Sequence, residues 1–184
     1  MKNKVIFIKG KKIYLRPFNE KDVNKNYLKW INSQKLSNHL EANRFPNTLS
    51  DLKKYYLKQK KSKNSVLLAI CLNKNDQHIG NCSLTNIDWI NRRAQYGRLI
   101  GILNKNTKGC GTETLKLLQD YAFNKLNLNS IWTGVSEKNL ASIKSNLKAG
   151  MKKVGNFPES IFYSGKLVNM ICFCITKKQF KKTS

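Results

Sequence analysis

The sequence predicts one mixed α+β domain in which helices flank a mostly antiparallel sheet. Residues 65–72 form a near-continuous apolar run, and residues 78–88 and 94–103 alternate apolar with polar side chains, which together indicate three consecutive antiparallel strands. After these strands the spacing of the apolar residues changes to that of a helix, as Leu115 and Leu118 illustrate. The chain has 184 residues, a length that suits a single domain with a buried core.

The N-terminal part is predicted from its turn and cap residues. Gly10 separates two short apolar runs, which indicates a hairpin. Asn19, followed by Asp22 three residues later, is typical of a helix N-cap. The predicted elements are strands over residues 4–8 and 12–17, a helix through Ile31, a polar connection over residues 32–47 and a helix that starts near Ser50.

The second half of the chain is predicted to alternate helices with strands. Gly150 marks the end of a short helix, because glycine commonly follows the last helical residue. We expect a domain over residues 1–176 and a charged, frayed tail over residues 177–184. The predicted elements are a helix to about Leu126, a strand over residues 130–135, a helix over residues 139–149, and closing strands over residues 151–155 and 166–176.

A glycine-bearing turn, residues 108–112, leads directly into the most regular amphipathic helix of the chain. Gly109 and Gly111 allow a tight turn and a close approach of backbone N–H groups to a ligand. The helix that follows directs the positive end of its dipole to the same place. The turn is therefore predicted to bind an anion, and an ordinary loop before a core helix is the alternative. No Gly-Lys-Ser/Thr follows at the required spacing, which excludes a Walker A loop.

The formal net charge of +25 raises the question of a nucleic-acid partner. The cations are 30 Lys and only 5 Arg, and the Lys residues are spread along the chain among many Asn. Recognition of phosphates and bases relies more on Arg. The composition therefore favours a generally basic surface that attracts anions over a dedicated RNA site, and it disfavours polycationic substrates.

The sequence indicates neither a disulfide framework nor a metal site. The five cysteines are odd in number and lie mostly in apolar, strand-like runs, where a free thiol behaves as a small apolar group. Cys172 and Cys174 would share one strand face, but no nearby Cys or His completes a zinc site, and the histidines are His39 and His78. No apolar run approaches the roughly 20 residues of a membrane span, and the N-terminus lacks signal-peptide features. We therefore expect a cytoplasmic protein without a membrane partner.

Several short motifs follow one another along the chain in the same order as the predicted elements. They are Lys12-Ile-Tyr-Leu-Arg-Pro17, His78-Ile-Gly80, residues 90–97, Lys108-Gly-Cys-Gly-Thr-Glu113, residues 121–126, Asn139-Leu-Ala-Ser142 and Lys148-Ala-Gly150. These motifs and the order of the elements resemble the Gcn5-related N-acetyltransferases, the GNAT family, and particularly its ribosomal-protein and spermidine acetyltransferase branch. The resemblance extends over nearly the whole chain. It implies a twisted, mostly antiparallel sheet of about seven strands flanked by about four helices, and it suggests a homodimer.

In that family the glycine turn holds the pyrophosphate of acetyl-CoA, so the resemblance gives the predicted anion site a specific ligand. It implies that the pantetheine arm lies along the third strand of the meander and that the side chains of the Asn-x-x-Ser motif lie along the cofactor. For Asn139, an ordinary helix N-cap is the alternative. The cofactor-binding residues implied are Ile100, Ile102, Leu103, Lys108, Gly109, Cys110, Gly111, Thr112, Asn139 and Ser142.

Several positions depart from the family pattern. Asn106 stands where the family has Arg or Gln before the turn, and Gln95 stands where an acidic residue is usual. The tyrosine that often protonates the CoA thiolate falls at Asn146, which cannot act as an acid. We therefore expect Ser145 or a water to take that role, and a substrate amine of low pKa needs little help from a base. The candidate catalytic residues are Tyr96, Ser145 and Asn146.

The activity that the resemblance implies is direct transfer of acetyl from acetyl-CoA to a primary amine. The family's substrate cleft implicates Glu41 and Arg44, with Tyr96 beside the third strand; a surface pair and a core tyrosine are the plainer alternatives. As the acceptor, a nucleotide-linked amino sugar of surface polysaccharide synthesis ranks first and the N-terminus of a ribosomal protein second. Polyamines require acidic groups, of which the chain has few. A non-catalytic RNA-binding module would show clustered Arg and exposed aromatics.

Overall fold

A computed structural model describes residues 5–37, 39 and 44–181. In that part of the chain the strands are β1 (Ile8–Lys9), β2 (Ile13–Pro17), β3 (Val66–Leu72), β4 (His78–Asp88), β5 (Arg93–Ile100), β6 (Ser130–Ser136), β7 (Lys152–Tyr163) and β8 (Lys166–Thr176). They form one 8-stranded sheet in the order β1-β2-β3-β4-β5-β6-β8-β7. Neighbours are antiparallel except β5 and β6, which are parallel. The mixed α+β class is therefore confirmed, with one strand more than the number expected.

Helices cover both faces of the sheet. Short 3₁₀ turns lie at Glu20–Asp22 and Lys105–Thr107, and a π-helical turn lies at Tyr121–Lys125. The α-helices of the described residues are α1 (Lys25–Ile31), α2 (Gln34–Ser37), α3 (Leu49–Lys61), α4 (Cys110–Asp120), α5 (Leu140–Lys148) and α6 (Lys177–Lys181).

Alternation along the strands divides the core into two layers, because successive side chains of a strand point to opposite faces. Leu15 of β2 and Ile70 of β3 are fully buried in the layer that contains Leu115 of α4. Their neighbours Tyr14 and Ala69 are buried in the other layer, with side chains of α1 and α3. The sheet thus separates a face covered by α4 and α5 from a face covered by α1 and α3.

The first helix begins later than the sequence pattern indicates. Asn19 and Asp22 do form a capping box, but it starts the 3₁₀ turn. The Asp22 carboxylate also binds Arg16 through two contacts of 2.6 and 2.7 Å, which fixes this turn against β2. Asn24 then caps α1, because its side-chain oxygen accepts hydrogen bonds from the N–H groups of Asn26 and Tyr27.

Other boundaries also differ from the predictions. β5 ends at Ile100 and not at Leu103, and α2 lies within the segment predicted as a polar connection. β7 extends to Tyr163 because it pairs with β8 along a long hairpin. The prediction of a frayed tail is wrong for the residues of α6. Phe180 in this helix is partly buried against the core, with its ring centroid 5.3 Å from that of Phe123. Residues 182–184 lie outside the described part.

The structure also bears on the predictions about disulfides, metal sites and membrane spans. All five cysteines are free thiols, and Cys71, Cys82 and Cys110 are buried. Within residues 5–37, 39 and 44–181, no group of three or more His, Cys, Asp or Glu side chains is arranged to hold a metal ion. None of the helices in the same ranges combines the length with the apolar composition that crossing a bilayer demands.

Gly101 brings α1 directly against the end of β5. The residue is buried immediately after the strand, and its N–H donates to the Ile79 carbonyl over 2.8 Å. A Cβ at this position would overlap the indole ring of Trp30. The absence of a side chain at Gly101 therefore sets the distance between α1 and the strand end.

Gly101→Ala is expected to lower the free energy of unfolding by about 1–3 kcal/mol, because the extra methyl group overpacks a rigid contact with the indole. Gly155→Ala is the matched control, since the nearest atom to its Cβ would lie 3.9 Å away. The control is expected to change stability by less than about 0.5 kcal/mol. Urea unfolding measures both variants, and wild-type stability in the Gly101 variant would contradict the packing described.

Candidate functional site

Strands β5 and β6 separate after a short parallel contact. They are paired only from Arg93 with Ser130 to Gln95 with Trp132. β6 then continues against β8, whereas residues 96–100 of β5 continue against β4. Alternate residues of a strand direct their N–H and C=O groups to opposite sides, so part of the β5 backbone faces the opening without a strand partner among the described residues. A groove therefore opens between the two strands.

The glycine turn forms the N-terminus of α4. Gly109 has a φ of 87°, in the left-handed region that favours glycine, and it is the N-cap residue without a side-chain cap. The first intrahelical donor is Glu113, whose N–H bonds the Gly109 carbonyl over 3.1 Å. The N–H groups of residues 109–112 precede this bond and have no intrahelical acceptor. They give the helix end its capacity to bind an anion.

Arg98, in the middle of β5, connects this helix end to the groove. Its Nη1 atom donates to the carbonyl oxygen of Gly111 and, over 3.0 Å, to the hydroxyl of Ser145 in α5. The Ser145 hydroxyl lies 3.2 Å from that of Thr112. One side chain thus joins β5, α4 and α5. Sequence analysis missed Arg98, although alternation with Tyr96 places both side chains on the same face of the strand.

Lys12 is a second basic residue beside the turn that sequence analysis did not identify as a site residue. Its Nζ atom donates to the Lys108 carbonyl over 3.3 Å, and its backbone N–H donates to Glu113 Oε1 over 2.9 Å. Asn106, which has no charge, is exposed on the preceding 3₁₀ turn. Lys12 therefore brings a positive charge to the turn from a different element, and only the tertiary structure reveals it.

Tyr96 is a buried polar residue beside Arg98. It is 4% exposed, and its ring centroid lies 6.0 Å from the Arg98 Cζ atom. Its hydroxyl interacts with the Arg98 guanidinium but forms no hydrogen bond of regular geometry within the described residues. Burial raises the pKa of Tyr96 to about 12, and the neighbouring Arg98 charge offsets this only in part. The phenol is therefore neutral at neutral pH, so Tyr96 cannot serve there as a phenolate base.

The remaining predicted catalytic residues lie together at the end of α5 that faces Arg98. Ser145 is 8% exposed and Asn146 is 2% exposed. The Nδ2 atom of Asn146 has no hydrogen-bond partner within the described residues. The structure thus brings Ser145 into contact with Arg98 and Thr112 and places an unsatisfied amide beside it, whereas their catalytic roles stay predictions.

The predicted cofactor residues occupy the strand end and the turn. Ile100 ends β5, Ile102 is partly buried against both core layers, and Leu103 is 64% exposed. Cys110 is fully buried, so only its backbone is available at the turn. Lys108 is exposed. The turn residues and Ile100 therefore surround the groove, whereas Leu103 lies beyond the strand.

The Asn-x-x-Ser motif begins α5. The Oδ1 atom of Asn139 accepts a hydrogen bond from the Ser142 N–H over 3.1 Å, which is the N-cap alternative stated above. A cofactor contact by either side chain stays a prediction. Of the two predicted substrate residues, Arg44 is exposed before α3 and Glu41 lies outside the described residues.

A cleft of about 840 Å³ lies on the α1 face of the sheet and reaches Gly101 and Ile102 at the end of β5. It therefore adjoins the mouth of the groove from the face opposite α4. Within the described residues none of its lining side chains is a carboxylate. Its polar lining side chains carry amide, ammonium, hydroxyl or imidazole groups and include Asn24, Asn26, Lys29, Asn32, Ser33, Gln77 and His78.

His78 lines this cleft and is held by the protein through one ring nitrogen. Nε2 lies 2.9 Å from the Gly80 carbonyl and 2.8 Å from Asn81 Oδ1, so it carries the proton. Nδ1 lies 3.6 Å from Asp22 Oδ1. Burial lowers the pKa of His78, although the Asp22 charge opposes this effect. The neutral ring is therefore fixed to β4 through Nε2, and its unprotonated Nδ1 atom faces Asp22.

A comparison with protein families agrees with this geometry. Residues 12–152 match the model of the "Acetyltransferase (GNAT) domain". The chain belongs to the GNAT acetyltransferase family. The matched region includes Lys12, β5, the glycine turn and α5, so every element of the groove lies within the family domain. The family predicted from the sequence motifs is confirmed.

Curated relatives match part of the chain. The uncharacterized N-acetyltransferase p20 of Bacillus licheniformis is 32% identical over 112 residues, which are 61% of this chain and 62% of p20. The spermidine N(1)-acetyltransferase of Escherichia coli strain K12 is 31% identical over 101 residues, 55% of this chain and 54% of that enzyme. The chain thus spans a little more than half the length of these relatives.

Solved structures match the fold over most of the chain. The spermidine N-acetyltransferase of Vibrio cholerae, in complex with CoA and spermine, superposes with a TM-score of 0.82 at 19% identity, covering 92% of this chain and 98% of that one. A GNAT-family acetyltransferase of Bacillus anthracis gives a TM-score of 0.78 at 18% identity, covering 94% and 99%. At such identities the matches establish the GNAT fold alone.

Tyr96→Phe tests the protonation state of the buried phenol. Because the folded pKa is raised, the neutral phenol contributes stability that is present below the ordinary pKa of about 10 and is lost as the pH rises towards 12. Between pH 9 and pH 11 the wild type is expected to lose about 1.4 kcal/mol relative to the variant. Urea unfolding across this range measures the difference. Parallel pH profiles of the two proteins would contradict the burial of the phenol.

Proposed function

We propose that the protein is an acetyl-CoA-dependent N-acetyltransferase that transfers acetyl directly to a primary amine. The observation that carries the proposal is the uncapped N-terminus of α4 beside the unpaired edge of β5. CoA contains an anionic pyrophosphate and an extended arm with two amide groups, which match these two features in turn. The family match supports the same donor, as does the CoA bound in the Vibrio cholerae structure.

The described residues fit acetyl-CoA part by part. The N–H groups of residues 109–112 would donate to pyrophosphate oxygens, with Lys12 adding positive charge nearby. The free backbone groups of residues 96–100 would bond the pantetheine amides, as an added strand does at a sheet edge. The thioester would then lie near Ile100 and Ile102, beside the cleft. Acetyl-CoA would supply the activated acetyl group.

The reaction moves one acetyl group and one proton. A neutral amine attacks the carbonyl carbon of the thioester, a C–N bond forms, the C–S bond breaks, and the proton lost by the amine restores the CoA thiol. Tyr96 is protonated at neutral pH and the Nδ1 atom of His78 faces Asp22, so we propose that the amine arrives neutral, which a low amine pKa ensures. The protein's contribution is then chiefly to position the two reactants and exclude water.

Ser145 lies at the helix end proposed for the pyrophosphate, 3.2 Å from Thr112, so of the two predicted proton donors to the leaving thiolate, Ser145 or a water, we propose the water. Arg98 donates to the Ser145 Oγ atom over 3.0 Å, so the hydroxyl proton must point elsewhere. It can be directed to Thr112, 3.2 Å away, or to a ligand atom in the groove. Asn146, at the position of the family's tyrosine, can donate a hydrogen bond through its free Nδ2 atom but not a proton.

For the acceptor we propose an amine on a neutral or anionic carrier, with a nucleotide-linked amino sugar as the first example. The lining of the cleft supports this choice, because it contains Lys29 and several amides but no carboxylate among the described residues. The competing candidate is a polyamine, since the Escherichia coli relative is a spermidine N(1)-acetyltransferase and the Vibrio cholerae structure contains spermine. A polycation would be repelled by Lys29 and by the net charge of +25.

Self-association is part of the proposal. β7 is an edge strand whose exposed apolar side chains include Val154, Phe157 and Phe162, at 63%, 56% and 62% exposure. Exposed apolar residues on an edge strand favour contact with another chain. The Vibrio cholerae enzyme has a dodecameric structure; the homodimer suggested by the family resemblance stays our prediction for this chain.

Acetyl-CoA is expected to raise the melting temperature, with a stabilisation of about 2.7 kcal/mol at 100 times its Kd. Gly111→Val should remove most of this shift, because a Cβ there would lie 2.8 Å from Arg98 Nη1 and would obstruct the helix end. Gly155→Val, on exposed β7, is the control and should keep the full shift. Scanning fluorimetry measures all three proteins. A wild type without a shift refutes the donor, and an intact shift in the Gly111 variant moves the donor site elsewhere.

A thiol-release assay with a nucleotide-linked amino sugar, an N-terminal peptide and spermidine tests the acceptor. The wild type is expected to prefer the amino sugar, and Lys29→Glu should shift the ratio of kcat/KM values towards spermidine by about five- to tenfold through charge reversal in the cleft. Lys25→Glu, an exposed position on α1 outside the cleft lining, is the control. Wild-type turnover of spermidine alone would overturn the acceptor proposal.

A further inference from the structure

A second cavity, of about 510 Å³, lies at the end of the sheet where β2 begins and β3 ends. Its walls are the turn between β1 and β2, the turn between β3 and β4, and the 3₁₀ turn that precedes α4. Three lining side chains are asparagines, and among the described residues no carboxylate lines the cavity. Four are lysines: Lys11, Lys12, Lys74 and Lys105. We call this cavity the basic pocket.

Hydrogen bonds fix the walls of the basic pocket to one another and to the glycine turn. The Asn73 N–H donates to the Lys12 carbonyl over 2.9 Å, and its Nδ2 atom donates to the carbonyl oxygens of Gly10 and Lys11 over 2.9 and 3.0 Å. Lys12 then reaches the glycine turn, because its Nζ atom donates to the Lys108 carbonyl over 3.3 Å. The pocket therefore has a defined position beside the turn.

The positive charge of the basic pocket is not neutralised by the nearby acidic residues. None of the four lysines forms an ion pair with a carboxylate in the part of the chain that the structure describes. Glu113 accepts the backbone N–H of Lys12, and Asp76 interacts with Tyr14, which is buried on the α1 face of the sheet. Four cations around one cavity repel each other, and a bound anion would relieve this repulsion.

The basic pocket and the groove lie on different sides of the glycine turn. The groove opens between β5 and β6, whereas the pocket adjoins β2 and β3, on the other side of β5 in the sheet order. CoA likewise has two parts joined at its pyrophosphate, the pantetheine arm and an adenosine whose ribose carries a 3′-phosphate. With the arm in the groove and the pyrophosphate on the turn, the pocket adjoins the nucleotide end.

We propose that the basic pocket binds the 3′-phosphate of CoA and makes the protein selective for CoA over dephospho-CoA. This inference rests on the proposed function and concerns a phosphate other than those placed at the glycine turn. A phosphate monoester carries a charge of about −1.5 to −2 at pH 7 and has three acceptor oxygens. Lys74 and Lys105, on two different walls, supply ammonium groups, and Asn75 supplies amide donors.

Isothermal titration of CoA and dephospho-CoA isolates this contact, because the two ligands differ only in the 3′-phosphate. The wild type is expected to bind CoA about 5- to 20-fold more tightly, since one exposed ion pair contributes a factor of about 1.4 to 5 and several act together. Added NaCl should reduce this ratio by screening the charges. The double variant Lys74→Ala/Lys105→Ala should lower the ratio at least about threefold and change the Kd of dephospho-CoA by less than about twofold.

The matched control is Lys61→Ala/Lys63→Ala, which removes the same charge from exposed positions before β3, at the opposite end of the sheet. It should keep the wild-type ratio. Melting temperatures without ligand show whether each variant is folded. If the Lys74/Lys105 double variant is not folded, the single variants Lys74→Gln and Lys105→Gln replace it.

Equal affinity of the wild type for CoA and dephospho-CoA overturns this inference and leaves the proposed function intact. An equal weakening of both ligands in the Lys74/Lys105 variants also overturns it, since these lysines would then act on the pyrophosphate or through the general field of the protein. A wild type that binds neither ligand refutes the proposed function itself.

Discussion

The separation of β5 from β6 determines where every part of the site lies. β6 is hydrogen-bonded to β8 along its whole length, and β5 is hydrogen-bonded to β4 up to its last residue, so their mutual pairing is limited to the first three residues of each. The two strands are parallel and are joined through α4, which must therefore begin close to the end of β5. An opening at the ends of parallel strands, with a helix N-terminus beside it, is a general position for ligands in sheets of this kind.

Charge in this protein is distributed so that backbone and side chains act together at the site. The net charge of +25 attracts anions in general, and the uncapped helix end, Lys12 and Arg98 place positive charge at one turn, where the Glu113 carboxylate offsets part of it. On the opposite face, Lys29 and amide side chains line the adjoining cleft. The turn at α4 suits an acetyl donor with an anionic end. The cleft beside Lys29 suits an acceptor that is not a polycation. The same electrostatics explains why a spermidine-like acceptor is the less favoured choice despite the spermidine acetyltransferases among the relatives.

Local patterns predicted much of the fold because they act over short distances. The apolar runs of β3 to β5 and the glycines at 109 and 111 determine strand period and turn geometry without reference to the rest of the chain. The predicted end of β5 was wrong for two reasons. Leu103 is apolar and yet 64% exposed, and the contact of Gly101 with Trp30 at the strand end is tertiary, so a local pattern does not show it. The basic tail concealed α6 for a similar reason, since its order depends on Phe180 packing near Phe123.

The site was predicted less completely than the fold. The turn could be found from two glycines and the helix behind them, but Arg98 and Lys12 reach it from other elements, and no spacing in the sequence connects them to it. Ser145, one of the predicted catalytic residues, contacts Thr112 at the helix end, and its catalytic role stays a prediction.

The most direct test is a crystal structure of the protein with CoA. We expect pyrophosphate oxygens within about 3.2 Å of the N–H groups of residues 109–112, and a pantetheine arm bonded to the free backbone edge of residues 96–100. CoA bound outside the groove between β5 and β6, with the α4 N-terminus uncovered, would contradict it.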